Sequence, residues 1–375
     1  MQMKEKLTIR QFAVLTFMVM IGDMILIYPT LVTYPGQQDG WICSLLAQPV
    51  GCCILWLMFK LYKAYPGKTL IEICYIALGR WFGFALAVCY LFYFLVGAAI
   101  CIREVGDFLT TQIYLKTPIR AIIILLIASL TWGMLKGLGP IGKSAELLAP
   151  FVVMGMLILI LALLPQADAS HLKPYFGIPW LSFVDGIIRG AFTSYGELIV
   201  LSMLFPYISK GPHLQRDMLT SALFGGILLS MLLLVSLLVL GPMLTQHNIY
   251  VSYILAQKID IGRFFQRIEA LMAIAWLIST YFKSMLHIFA FIVGTAQLFK
   301  MQDYKPLILP SMLLFFAMGV LIAPNIIFYT LTIMPAWFEL DITVSTVIPL
   351  FLLLIHRFRK KISGKPPRSE GSYGR

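Results

Sequence analysis

The sequence predicts an all-α integral membrane protein of about ten transmembrane helices, arranged as two inverted halves of five with the first and sixth helices broken. Three observations carry this expectation. The first is composition: 60% of the 375 residues are hydrophobic, only 12% are charged, and the mean hydropathy is +0.88. A globular domain carries about 25% charged residues, and so little charge cannot cover so large an apolar surplus in water. A bilayer accepts it, because a spanning helix needs about 20 apolar residues. A soluble enzyme, a nucleic-acid binder and a disordered scaffold are excluded on these grounds. The second observation is that the apolar residues fall into ten runs. The third is that two of those runs place a glycine beside a carboxylate near their middles.

The runs lie near 9–32, 40–62, 81–102, 118–135, 145–164, 181–208, 218–241, 268–294, 306–323 and 336–356. Between them stand turn signals such as Pro35-Gly36, Pro66-Gly67-Lys68, Gly137-Leu138-Gly139-Pro140, Lys210-Gly211-Pro212 and Lys305-Pro306. No hydrophilic stretch is long enough for a second domain. The expected organisation is one transmembrane domain over 1–357, with halves of about 9–164 and 181–356, and a basic tail over 358–375. The first run exceeds 20 apolar-rich residues without a small-residue cleavage site, so it reads as a retained span rather than a cleaved leader.

Charge placement gives orientation. With the N-terminus in the cytoplasm, 20 of the 29 Lys and Arg residues lie on that side and 7 on the other, with Arg189 and Lys283 inside spans. Basic residues collect in cytoplasmic loops, so both termini are expected inside, and the net charge of +12 is topology rather than a nucleic-acid surface. The tail residues Arg357, Arg359, Lys360 and Lys361 suit a stop-transfer flank beside the lipid bilayer. The longest outer segment, 242–267, repeats apolar residues at near-helical spacing from Ile254 to Ile268, which predicts an amphipathic helix over a vestibule or on lipid. The six cysteines lie in or beside apolar runs with no metal-ligand spacing, and read as reduced packing residues.

Broken spans at corresponding positions of two halves mark binding sites in transporter-type folds. Span 1 carries Ile21-Gly22-Asp23-Met24 with Pro29 beyond, and span 6 carries Thr193-Ser194-Tyr195-Gly196-Glu197 with Pro206 beyond. An intramembrane carboxylate costs about 2.5–3.5 kcal/mol on insertion scales, and glycine costs about 1 kcal/mol against alanine in a helix. Two such costs at matched positions point to a ligand site formed by Gly22, Asp23, Met24, Ser194, Tyr195, Gly196 and Glu197. Asp185 and Arg189 stand four apart and are expected to pair. Span 8 contributes a polar or proton network in Lys283, Ser284 and His287, with Lys283 a candidate partner for Glu197 or Asp23. No nucleophile elbow, phosphate-binding glycine loop, HExxH or Cys/His cluster is present in the sequence, so neither an enzyme, a cofactor nor a metal is expected.

Several stretches resemble the spore germination permease family, the B subunits of the nutrient germinant receptors of spore-forming bacteria. These are Tyr65-Pro66-Gly67-Lys68-Thr69-Leu70-Ile71-Glu72-Ile73 after span 2, Leu115-Lys116-Thr117-Pro118, Gly137 through Pro150, and Tyr195-Gly196-Glu197 with Leu204-Phe205-Pro206. The resemblance runs from about residue 7 to 357 and rests on the order of these motifs. It implies membership of the amino acid–polyamine–organocation superfamily and a LeuT-like fold. It also implies a small nutrient ligand of the amino acid kind, A and C partner subunits, and a place in the inner spore membrane. One departure bears on the ligand. Related permeases often read Gly-x-Gly in span 1, whereas Met24 stands at the second glycine and Asp23 between. Asp23 repels a carboxylate and attracts an amine. An ion-coupled amino acid transporter would use the same site, and a passive pore is the third reading.

Overall fold

Thr8 starts the first helix through a capping box: its hydroxyl accepts from the Gln11 N–H (3.1 Å) and the Gln11 side chain accepts from the Thr8 N–H (3.0 Å). From there the chain, in a computed structural model that describes residues 6–209, 211–259 and 268–363, is helical throughout. No strand forms among the described residues. One isolated parallel bridge, Leu7 with Ile208, straps the N-terminus to the end of span 6.

Span 1 is two helices, α1 (Ile9–Ile21) and α2 (Met24–Gly36), parted at Gly22-Asp23. Spans 2 to 5 are α3 (Gly40–Ala64), α4 (Leu70–Phe108), α5 (Ile119–Lys136) and α6 (Leu138–Leu163). Gly79 interrupts α4 at a positive φ of 78°, so its first turns form a separate segment ahead of the span. Span 6 begins as α7 (Trp180–Tyr195) and then tightens to 3₁₀ geometry over Gly196–Met203. The break there is a change of helix type, where the sequence suggested unwinding. Span 7 is α8 (Leu214–His247), and α9 (Val251–Gln257) follows it. Span 8 is α10 (Ile268–Leu298) and span 9 is α11 (Ile308–Leu321). Span 10 is segmented into α12 (Ile326–Phe328), α13 (Met334–Ile342) and α14 (Ile348–Ser363) with π-turns between.

Seven helical stretches among the described residues are long and apolar enough to cross a bilayer unaided. The first of them joins α2 to α3 over Met24–Ala64, while α1 and the helix of span 9 are too short to qualify and span 6 is broken. Large apolar side chains such as Trp81, Leu125, Leu147, Leu313 and Leu331 stand exposed on the outer surface, as a lipid-facing protein requires.

Two prolines free carbonyls that the fold then uses. Pro29 cannot donate to Ile25, and the Ser252 hydroxyl on α9 donates to that carbonyl instead (2.6 Å). Pro242 likewise frees Leu238, whose carbonyl takes the Asp168 N–H (3.0 Å) and the His171 ring (2.9 Å). The described part of the expected outer amphipathic helix is therefore α9, packed on protein with Val251, Leu255 and Ala256 buried. Its continuation over 260–267 lies outside the described residues, as do Lys210 and the tail beyond 363. Helix α14 runs past the expected boundary at 357, and Arg359 donates to the Ile76 carbonyl (3.0 Å).

At the centre, α10 packs against α4, α6 and α1, while α2 packs against α7 and α8. Both helix breaks therefore face α10.

Candidate functional site

Lys283 is the pivot. It sits on α10 with 1% of its side chain exposed and pairs with both predicted carboxylates: Asp23 at the span 1 break, and Glu197 at the span 6 break (2.5 Å). Gly22 makes room for it. A Cβ there would stand 2.5 Å from Lys283 Cδ, so any larger residue displaces the lysine. The Gly22 carbonyl, released by the break, accepts from the Ser279 hydroxyl one turn before Lys283 (2.9 Å). Glu197 takes a second donor, the Trp337 indole N–H on α13 (3.1 Å).

Four buried carboxylates among the described residues surround this pivot. Besides Asp23 and Glu197 they are Glu104 near the end of α4 and Asp341 at the end of α13. Glu104 accepts from the Tyr329 hydroxyl and Asp341 from the Tyr93 hydroxyl (2.6 Å). The remaining oxygens, Glu104 Oε2 and Asp341 Oδ2, have no hydrogen-bond partner. Gly196 is required by this crowding, since a Cβ on it would lie 2.0 Å from Asp341 Oδ2. Tyr93 stacks on Trp337 at 4.7 Å and 10° between planes, fixing the indole that holds Glu197.

All four carboxylates line one cavity of about 520 Å³, a size within the range of small-molecule sites. Met24, Ile27, Ile100, Met334 and Phe338 give it apolar walls, and Tyr34 and His247 stand at its exposed rim. Among the described residues Arg189 is the one cationic side chain in its lining, and it is committed to Asp185 (3.0 Å) as the helical spacing predicts.

The predicted site residues divide into two groups. Asp23, Met24 and Glu197 line the cavity; Gly22, Gly196 and Lys283 shape or neutralise it from behind. Ser194 and Tyr195 do not line it. The Ser194 hydroxyl bonds the Gly190 carbonyl (2.8 Å), and the Tyr195 hydroxyl reaches Gln48 on α3 (2.7 Å), because the helical turn that aims Glu197 inward rotates both away. Ser284 is also spent locally, on Thr280 (2.8 Å). His287 donates from Nδ1 to the Lys283 carbonyl (3.0 Å), and its Nε2 is buried without a partner.

Sequence reasoning passed over Glu104, Asp341, Tyr93, Tyr329 and Trp337. Asp341 had a readable signal, an acid inside the tenth apolar run. Glu104 lies two residues beyond the expected end of span 3 at 102, whereas the helix continues to Phe108. Asp23, Cys101 and Glu104 place three ligand-type atoms within 4.8 Å of one another; Lys283 already occupies Asp23.

Comparison with known proteins agrees with this architecture. The solved structure of MhsT in complex with L-phenylalanine superimposes with a TM-score of 0.69 at 16% identity, covering 93% of this chain and 88% of that one. The fold is thus the LeuT-like one, with the broken helices 1 and 6 it requires. Spore germination protein KB of Bacillus subtilis (strain 168) is 25% identical, over 96% of both chains. Spore germination protein YndE of the same organism is 24% identical, over 95% of this chain and 98% of its own length. The sequence profile of the spore germination proteins matches residues 6–327, and the chain is a member of that spore permease family of integral membrane proteins.

Proposed function

We propose that this chain is the nutrient-binding membrane subunit of a spore germinant receptor. It takes a small organic nutrient into the cavity between the two helix breaks and acts with A and C subunits. Its place is the inner spore membrane, with both termini on the core side, and it works by binding rather than catalysis. The single observation that carries this reading is Lys283 joined to Asp23 and Glu197 at once. One buried cation ties the break of span 1 to the break of span 6, and the cavity opens onto the same carboxylates. A ligand that competes for either carboxylate changes what holds the two breaks together. Binding shifts such an equilibrium only by its difference in affinity between the two states, and partner subunits would register that shift.

The test is germination of spores carrying Glu197→Gln or Gly196→Leu. Both variants are expected to lose the nutrient response, Glu197→Gln while inserting at normal levels and Gly196→Leu with reduced stability from its contact with Asp341; an unchanged dose–response in either contradicts the reading. A transporter is the second reading, and the overlap with MhsT over nearly the whole chain favours it. Uptake by proteoliposomes holding this chain alone separates the two: accumulation of ligand against its gradient supports transport, and saturable binding without accumulation supports the receptor.

A further inference from the structure

We infer that the ligand is an organic cation, an amine without a carboxylate, whose ammonium group binds among the acids that line the cavity. This rests on the reading of the cavity as the nutrient site and narrows the ligand class. The argument begins with charge. Asp23, Glu104, Glu197 and Asp341 line one cavity, and each is at least nine-tenths buried. Lys283 pairs with two of them, Asp23 and Glu197. Glu104 and Asp341 have only a tyrosine hydroxyl each, leaving Glu104 Oε2 and Asp341 Oδ2 unsatisfied. A buried carboxylate without a cation is strongly unfavourable in a low-dielectric interior. A cationic donor delivered from the cavity would satisfy such an oxygen and compensate its charge at once.

The walls oppose an amino acid zwitterion. Its carboxylate would meet acids on the deep side, and the first turn of α2, where a backbone anion site could form, is headed by Asp23. Arg189 is already held by Asp185 and lies 5.2 Å from the ring centroid of Phe338. An inorganic ion fits the space poorly. A cavity of about 520 Å³ with Met24, Ile27, Ile100 and Met334 on its walls is built for a molecule with an alkyl body. Tyr329 and Trp337 add aromatic rings to the same lining.

The purified full chain should be tested by thermal shift and calorimetry with n-butylammonium, 1,4-diaminobutane, butyrate, L-alanine, Na⁺, Ca²⁺ and Zn²⁺. The expected result is saturable stabilisation by at least one of the two amines and by none of the others. Glu104→Gln and Asp341→Asn, both near-isosteric, should each weaken amine binding by about ten- to a hundredfold, the effect of losing one charged hydrogen bond. Should either variant not fold, the contrast between amines and butyrate on the unmodified chain still decides. Stabilisation by L-alanine that survives Glu104→Gln overturns the amine proposal while leaving the cavity as the nutrient site. Stabilisation by Ca²⁺ or Zn²⁺ alone, lost in Cys101→Ser, overturns it in favour of an ion. Binding of an amine unchanged in both acid variants, or no binding by either amine, also overturns it; only a ligand unaffected by Glu197→Gln as well would remove the cavity itself.

Discussion

Gly196 and Asp341 are matched by contact. With 2.0 Å between a hypothetical Cβ and Asp341 Oδ2, Gly196→Ala must push the carboxylate aside. The expected cost is about 1–3 kcal/mol, as for other overpacked sites. Asp341→Ala in the same molecule should return much of it, so thermal melts of the two single variants and the double variant should show clear non-additivity. Simple addition of the two effects would show that the contact is relieved elsewhere. At this scale the sequence was informative where chemistry is costly. Asp23, Glu197 and Lys283 stood out because charges inside apolar runs need partners, and the structure brings those three together. It was silent where a role depends on which way a side chain turns. Ser194 and Tyr195 sit beside the break yet face α3 and the helix backbone, a rotation that spacing alone does not reveal.

The elements that matter most are the broken ones, and α10 is their common support. Removing one member of a buried ion group leaves uncompensated charge, at a typical cost of about 3–5 kcal/mol. Lys283→Met is therefore expected to destabilise the protein by that order, because two carboxylates lose their cation together. Combining it with Asp23→Asn and Glu197→Gln removes the orphaned charges and should recover most of the loss. Melting of the purified variants measures both, and a triple variant no more stable than Lys283→Met would contradict the electrostatic account. The positions of both breaks were legible from a glycine beside a carboxylate. Their forms were not: span 1 parts at two residues, while span 6 keeps a helical path in 3₁₀ geometry. Span 10 was expected as one run over 336–356 and is instead jointed by a π-turn at Thr343–Val347, with another at Tyr329–Ile333 ahead of it.

At the scale of the whole molecule, the ten apolar runs correspond to ten helical paths among the described residues, since period and length of hydrophobic segments are dictated by the bilayer. The ends and faces of those paths were less accessible. The extension of α4 to Phe108 brought Glu104 into the site, and α9 packs on α2 through a carbonyl that Pro29 releases, a contact between residues 227 apart in sequence. The charge asymmetry predicts both termini on one side. Reporter fusions to each end should both read as cytoplasmic, and opposite readings would contradict the assignment of 20 basic residues to that face. The central claim is that the two helix breaks, held by Lys283, form the nutrient site. Its most direct test is ligand-dependent thermal stabilisation of the purified full chain over a panel of amino acids, amines, sugars and nucleosides, repeated in Glu197→Gln. At a ligand concentration of 100 Kd the stabilisation amounts to about 2.7 kcal/mol. At least one compound should stabilise the unmodified protein saturably and fail to stabilise Glu197→Gln; a compound that stabilises both equally would place the nutrient elsewhere.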